Sequence, residues 1–370
     1  MHLYMLKWKK RSISSSMTKE ERKQAFLKVY NSLPIFENDE LKLYVNRVPN
    51  DAQITGDNHN DDHQAARHGT YAFLLSRLYL RDIKADTALR RHFFQMQAYR
   101  GFKVDPTTTI KTYNPYNVSG DQLIGLTLAM LDDVSEKLRI DFINTVEQIV
   151  DNDWASKSVD QLTKSHVAMW QPGLETVGAQ ALTILSILKM ASKFGSAKAK
   201  KAYNKLLYMY GYGLLSLIPT TFSIKNRNYS NDHNCIISAY ILAKLSTGMS
   251  KLYWTMIMLY CWSLSYKWLN GYFTGIIMDV CPIFTKKYVQ KCKDYLYEEV
   301  PNTYAKSIYW NPWIDQGVYP IKFNDMNQGE FWPDEVHQAR GNDQLTKSGL
   351  GWLAAAIMID QEEAKEFLEK

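Results

Sequence analysis

Cysteine is scarce in this chain. Cys235, Cys261, Cys281 and Cys292 are the four in 370 residues, and no two form a C-x-x-C pair. A disulfide framework is not expected, and reduced, buried packing residues are. Phosphate-binding loops are missing as well, since neither G-x-x-x-x-G-K-[ST] nor G-x-G-x-x-G occurs. Nucleotide chemistry is thereby disfavoured, and no cofactor is expected. The net charge of +6 is not gathered into a dense basic stripe, so nucleic acid is not a favoured partner. The most apolar part, residues 252–281, runs only about 15 residues without a charge before Lys267, against the roughly 20 that a membrane span needs. It reads as buried helix, with no membrane span. The basic start "LKWKKR" is followed by polar "SISSSMTKEERKQ" and by no apolar core of a signal peptide. Met17 opens "MTKEER", so residues 1–16 read as an upstream extension, and the default compartment is the cytoplasm.

Strand signals are few, whereas apolar residues at helical spacing recur from end to end. Hydrophobic residues at 46% and charged residues at 22% are those of a folded chain with a large core. A basic amphipathic helix around 18–32 precedes a turn-rich segment, and then long helices come in pairs. The first member of each pair is apolar on more than one face, as a helix surrounded by protein must be. Such members start near residues 62, 121, 175, 232 and 343. The interval between the last two leaves room for one more start near 286, in "CPIFTKKYVQKCKDYLYEE". A period of about 55 residues means repeated hairpins that bury their apolar faces against neighbours. The expected fold is all-α: residues 17–370 form one (α/α)6 toroid of six helical hairpins, with inner helices parallel and outer ones returning outside. An open helical solenoid is the competitor.

Three inner starts share a polar pattern. "SGDQL", "SNDHN" and "GNDQL" place Asp121, Asp232 and Asp343 at equal intervals, each followed by Gln122, His233 or Gln344. Helix amino termini favour anions, so these carboxylates should remain ionised, as a base or nucleophile requires. Capping alone is the competing account, because Ser119 and Gln122 have capping-box spacing. Asn234 and other nearby amides exceed what a cap needs, which points to a ligand.

Helix spacing over residues 55–360, together with these three motifs, resembles the six-hairpin glycosidase superfamily, including unsaturated glucuronyl hydrolases. That resemblance implies carboxylates at the mouth of the toroid and an aromatic funnel. Asp121, Glu175 and Asp232 are then the candidate catalytic groups. Gln122, His166, Trp170, Gln171, His233, Asn234, Asp343 and Gln344 are the candidate substrate-binding groups, and an oligo- or polysaccharide is the partner. A glycoside hydrolase is expected first and a polysaccharide lyase second. The alternative of another class is a non-catalytic toroid that binds a glycan or a protein. In "GDNHNDDHQ" the residues His59, Asp61, Asp62 and His63 lack metalloprotease and EF-hand spacing, so a solvated loop is expected and no metal. "LDD", with Asp132 and Asp133, reads as a polar turn ending its helix.

Overall fold

The computed structural model describes residues 17–33, 35–44, 64–98, 102–104, 110–112, 120–151, 179–209, 211–215, 229–263, 269–298, 300, 306–307, 345–346 and 350–369. Helix dominates them, so the chain is all-α as its periodicity predicts. Strands occur among them as three short antiparallel pairs: β1 (Ile35–Glu37) with β2 (Lys42–Tyr44), β3 (Phe102–Val104) with β4 (Ile110–Thr112), and β5 (Lys306–Ser307) with β6 (Leu345–Thr346). Helix α1 (Lys19–Asn31) opens on a capping box between Thr18 and Glu21.

Two kinds of helix follow. Those buried all round are α2 (Gln64–Arg77), α4 (Gly120–Ala129), α6 (Ala179–Lys193), α9 (Tyr229–Lys244), α11 (Gly271–Met278) and α13 (Leu350–Ile359). Each is succeeded by a helix with a solvent face: α3 (Ile83–Ala98), α5 (Glu136–Asp151), α7 (Ala197–Asn204), α10 (Gly248–Ser263), α12 (Lys286–Glu298) and α14 (Gln361–Leu368). In α5 the buried residues are Leu138, Phe142, Thr145, Val146 and Ile149, one helical stripe. In α13 every residue from Leu350 to Ile359 is buried.

The buried helices pack in sequence order. α2 lies on α4, α4 on α6, α6 on α9, α9 on α11, α11 on α13, and α13 returns to α2. Two of these crossings depend on glycine. A Cβ at Gly69 of α2 would overlap the Gly125 carbonyl of α4, and one at Gly275 of α11 would overlap the Met358 carbonyl of α13. Backbone therefore meets backbone at both seams, which no larger residue permits.

Several sequence expectations need correction. The inner start expected near 286 lies at Gly271, and residues 286–298 are its amphipathic outer partner. Nor is 252–281 one buried helix. Leu269 has φ 54, a left-handed conformation that ends helical geometry, and the Asn270 side chain accepts from Phe273 N to start α11 afresh. α10 before it is an outer helix with an exposed apolar edge. The helix expected to open at residue 343 does not, since Leu345 and Thr346 pair as strand, and it is described over Leu350–Ile359. The outer helix that follows α6 is interrupted: after α7 a π turn spans Lys205–Met209 and Gly211 takes φ 69 before a single turn, α8 (Tyr212–Leu215).

Candidate functional site

Each buried helix has a carboxyl end, and five of these ends meet. Arg77, the last residue of α2, is the hub. Its Nη2 donates to the Tyr240 hydroxyl of α9 at 3.0 Å and lies 3.5 Å from Asp132, beyond the end of α4. It is 3.7 Å from Asp279, which caps α11. Tyr240 donates onward to Asp279 Oδ2 at 2.6 Å, and Lys244 of α9 reaches the same oxygen at 3.1 Å. Gln361, just beyond α13, donates its amide to the Arg77 carbonyl at 2.6 Å. Arg81 adds a bond to the Ala129 carbonyl at the end of α4. The guanidinium of Arg77 also stands 4.7 Å over the Phe73 ring, and Phe73 meets Tyr240 edge-on.

Asp is an unfavourable residue at a helix carboxyl end, where the dipole is already negative. Asp132 and Asp279 nevertheless follow α4 and α11, and each has a cation beside it, Arg77 and Lys244, whereas Asp360 after α13 caps the start of α14 and pairs with Lys293 at 2.7 Å. The two central carboxyls are driven apart. Burial alone would raise Asp279, but the Tyr240 hydroxyl, Arg77 and Lys244 together hold it below the usual carboxylate range. Burial pushes Asp132 up, and Arg77, Arg81 and Lys244 only partly oppose it. Asp132 Oδ2 is buried and makes no hydrogen bond among the described residues, consistent with that rise. Burial also carries the Tyr240 hydroxyl well above its ordinary range, so it acts as a donor.

Because these carboxyl ends share one place and the helices pack side by side, the amino ends of α2, α4, α9, α11 and α13 are directed away from the Arg77 cluster. The first turns of α4 and α9 lie toward that far end, and the two helices pack on each other. Asp121 is the second residue of α4, with Gln122 next, and Asp232 is the fourth of α9. At 1.5 Å per residue they lie about 12–18 Å along the helix axis from the carboxyl ends. Their side chains are outside the described set. So are Glu175, His166, Trp170, Gln171, Asp343 and Gln344 altogether, along with the His59–His63 loop.

Below this end the side chains are packed. His233 and Asn234 are 4% and 7% exposed, so they lie beneath the surface rather than on it. The His233 ring stacks on Tyr272 of α11 at 6.0 Å, and its Nδ1 is 3.4 Å from Asn234 Oδ1. Thr183 of α6 and Ser238 of α9 share a buried hydroxyl contact of 3.2 Å. To one side, His68 Nδ1 accepts from Tyr44 N at 3.2 Å, and its Nε2 faces the Ala85 carbonyl. Burial depresses this imidazole to about 4, and His92, 5.4 Å away, is depressed for the same reason.

Sequence reasoning missed the Arg77 cluster. Its signal was present in "MLDD" and "IIMDV", where an apolar helix ends on Asp against its own dipole. The cysteines are free, with Cys235, Cys261 and Cys292 buried, as expected. Among the described residues no helix is long and apolar enough to cross a membrane, and no group of His, Cys, Asp and Glu is arranged to hold a metal. No family model matches the chain, and neither the curated proteins nor the solved structures yield a match.

Proposed function

We propose that the six buried helices form the inner ring of an (α/α)6 toroid, and that the amino-terminal mouth of this ring is the working face of a carbohydrate-active enzyme, a glycoside hydrolase before a lyase. What supports this reading is the position of Asp121 and Asp232 in the first turns of two buried helices that pack on each other. Packing of α13 on both α11 and α2 supports the ring. Two carboxylates entering one mouth from two inner helices would be the minimum for cleaving a glycosidic bond, with Glu175 as the third candidate. The amino-terminal dipole keeps one ionised as base or nucleophile, and crowding by the other anions raises a partner toward an acid's range. His233, Asn234 and Tyr272 would form the floor.

The burial of His233 and Asn234 favours a second reading, a toroid that binds a glycan or protein without chemistry. Turnover separates the two. The purified chain is assayed for release of reducing ends from α- and β-linked oligosaccharides, including uronic acid-containing ones, beside Asp121→Asn, Asp232→Asn and Glu175→Gln. Loss of about 10²–10⁴-fold in folded variants is the expected result. Turnover equal to the parent's in all three folded variants removes the enzymatic assignment of this mouth. Glycan binding without turnover in the parent selects the second reading.

A further inference from the structure

Two short helices, α1 and α14, bridge the seam where α13 returns to α2. α1 packs on both α13 and α14. Phe26 of α1 meets Phe367 of α14 with ring centres 5.7 Å apart. Arg22 offers Nε and Nη2 to the two carboxylate oxygens of Glu363, the Nε bond at 3.3 Å, and stands 5.9 Å over the Tyr297 ring of α12. Lys293 of α12 binds the same carboxylate at 2.6 Å and Asp360 at 2.7 Å. α14 in turn holds the end of α2: besides the Gln361 bond to the Arg77 carbonyl, Lys365 Nζ lies 4.2 Å over the Tyr79 ring.

Neither helix can hold itself. α14 has 8 residues, and α1 has 13, of which Phe26 and Val29 alone are buried. Helices of these lengths are marginal in water, so each depends on its neighbours. What joins them is largely charge: the side chains of Arg22, Glu363 and Lys293 are 17%, 10% and 9% exposed. Glu363 is the shared partner of both cations, so losing Arg22 leaves a buried carboxylate with Lys293 alone among the described residues. Segments with little apolar burial open below the free energy of global unfolding, and segments that share their contacts open together.

We propose that α1 and α14 form one clasp on the seam between α13 and α2, and that the clasp opens as a single unit while α4, α6 and α9 stay folded. Release begins at the Arg22–Glu363–Lys293 network and lays bare the side of α13 on which α1 packs. This is separate from the proposed glycan mouth and stands or falls without it.

The test is native-state amide hydrogen exchange of the full chain, read by mass spectrometry, for the parent, Arg22→Gln and Lys19→Gln. Arg22→Gln should speed exchange of both α1 and α14 by a common factor of about tenfold or more, as loss of a charged hydrogen bond predicts, with α4 and α6 at the parent's rates. The Lys19–Glu366 pair is exposed, at 62% and 53%, so Lys19→Gln should change either helix by about fivefold or less. Phe367→Leu, placed in α14, should accelerate α1 as well, and it serves where Arg22→Gln does not fold. Acceleration of one helix with the other at the parent's rates overturns the proposal. So does equal acceleration of α4 and α6, which is global unfolding, or unchanged exchange in both Arg22→Gln and Phe367→Leu. An effect of Lys19→Gln equal to that of Arg22→Gln also overturns it, because the buried network would then not be what holds the clasp.

Discussion

Acidification from pH 7 to pH 5 should weaken the native state well before most carboxylates titrate, and His68 and His92 are the reason. Both rings are fully buried and packed on each other, and burial disfavours the charged form of each. The largest cause of the depression is burial, with Arg81 adding to it at His68 and the Ala85 carbonyl opposing it. A histidine lowered from 6.5 to about 4 is neutral in the native state throughout this window, while the unfolded chain takes up a proton as pH drops below 6.5. The stabilising contribution is therefore fully present above pH 6.5 and is lost as pH falls toward 4. For His68 alone the linkage relation gives a loss of about 2 kcal/mol between pH 7 and pH 5. His92 is shifted in the same direction and adds to it. Asp132, raised by burial, works the other way and gains stability as pH falls, so it reduces the total. Urea unfolding monitored by circular dichroism at half-unit pH steps measures the slope. His92→Phe should flatten it, whatever its effect on stability at pH 7. A free energy of unfolding that is level from pH 7 to pH 5 would refute the reasoning, because buried neutral imidazoles cannot coexist with it.

Two further outcomes follow from the seams and the hub. Gly275→Ala should cost about 3 kcal/mol or more, since the new methyl meets backbone of Met358 that cannot yield. Gly271→Ala, whose nearest neighbour would be Ala355 Cβ at 3.5 Å, should stay within about 1 kcal/mol, and equal effects in chemical denaturation would dismiss the close-approach account. Arg77→Met should cost roughly 2–4 kcal/mol, as it takes the 3.5 Å cation from buried Asp132 and removes a charged bond to Tyr240. Adding Asp132→Asn should recover part of that loss, and strict additivity of the two changes in a double-mutant cycle would argue against direct coupling.

Much of the architecture was legible because burial on all sides leaves a compositional mark. "LIGLTLAML" and "GWLAAAIMI" have no polar face to give to water, and they are indeed enclosed. The same logic failed at residues 248–278. There α10 carries apolar residues on its solvent face as well, so composition could not tell an outer helix from the inner helix that follows. The boundary was held by two local features, the left-handed Leu269 and the Asn270 cap, and an "LNG" triplet inside an apolar run is a faint signal. The strand pairs were hidden in turn-rich segments too short for an alternating pattern to register. At the candidate mouth, backbone placement of Asp121 and Asp232 agrees with the helix starts read from sequence. His233 and Asn234 sit deeper than a polar motif suggests, because the aromatic pair Tyr272 and Phe273 lies against the histidine.

The return of α13 to α2 bears on how the chain is made. Residues 350–359 are synthesised after the other five buried helices, yet both α2 and α11 depend on them for a covering surface. During translation the amino-terminal helices can pair with one another as they emerge, but those two flanks stay bare until the last buried helix is released. Ribosome-bound chains that lack it present the apolar edges of α2 and α11 to the cell, and these are the surfaces a chaperone would hold. Completion is recorded at Trp352, whose indole then donates to the Leu296 carbonyl at 2.9 Å. Emission from that tryptophan on arrested nascent chains of increasing length would time the step.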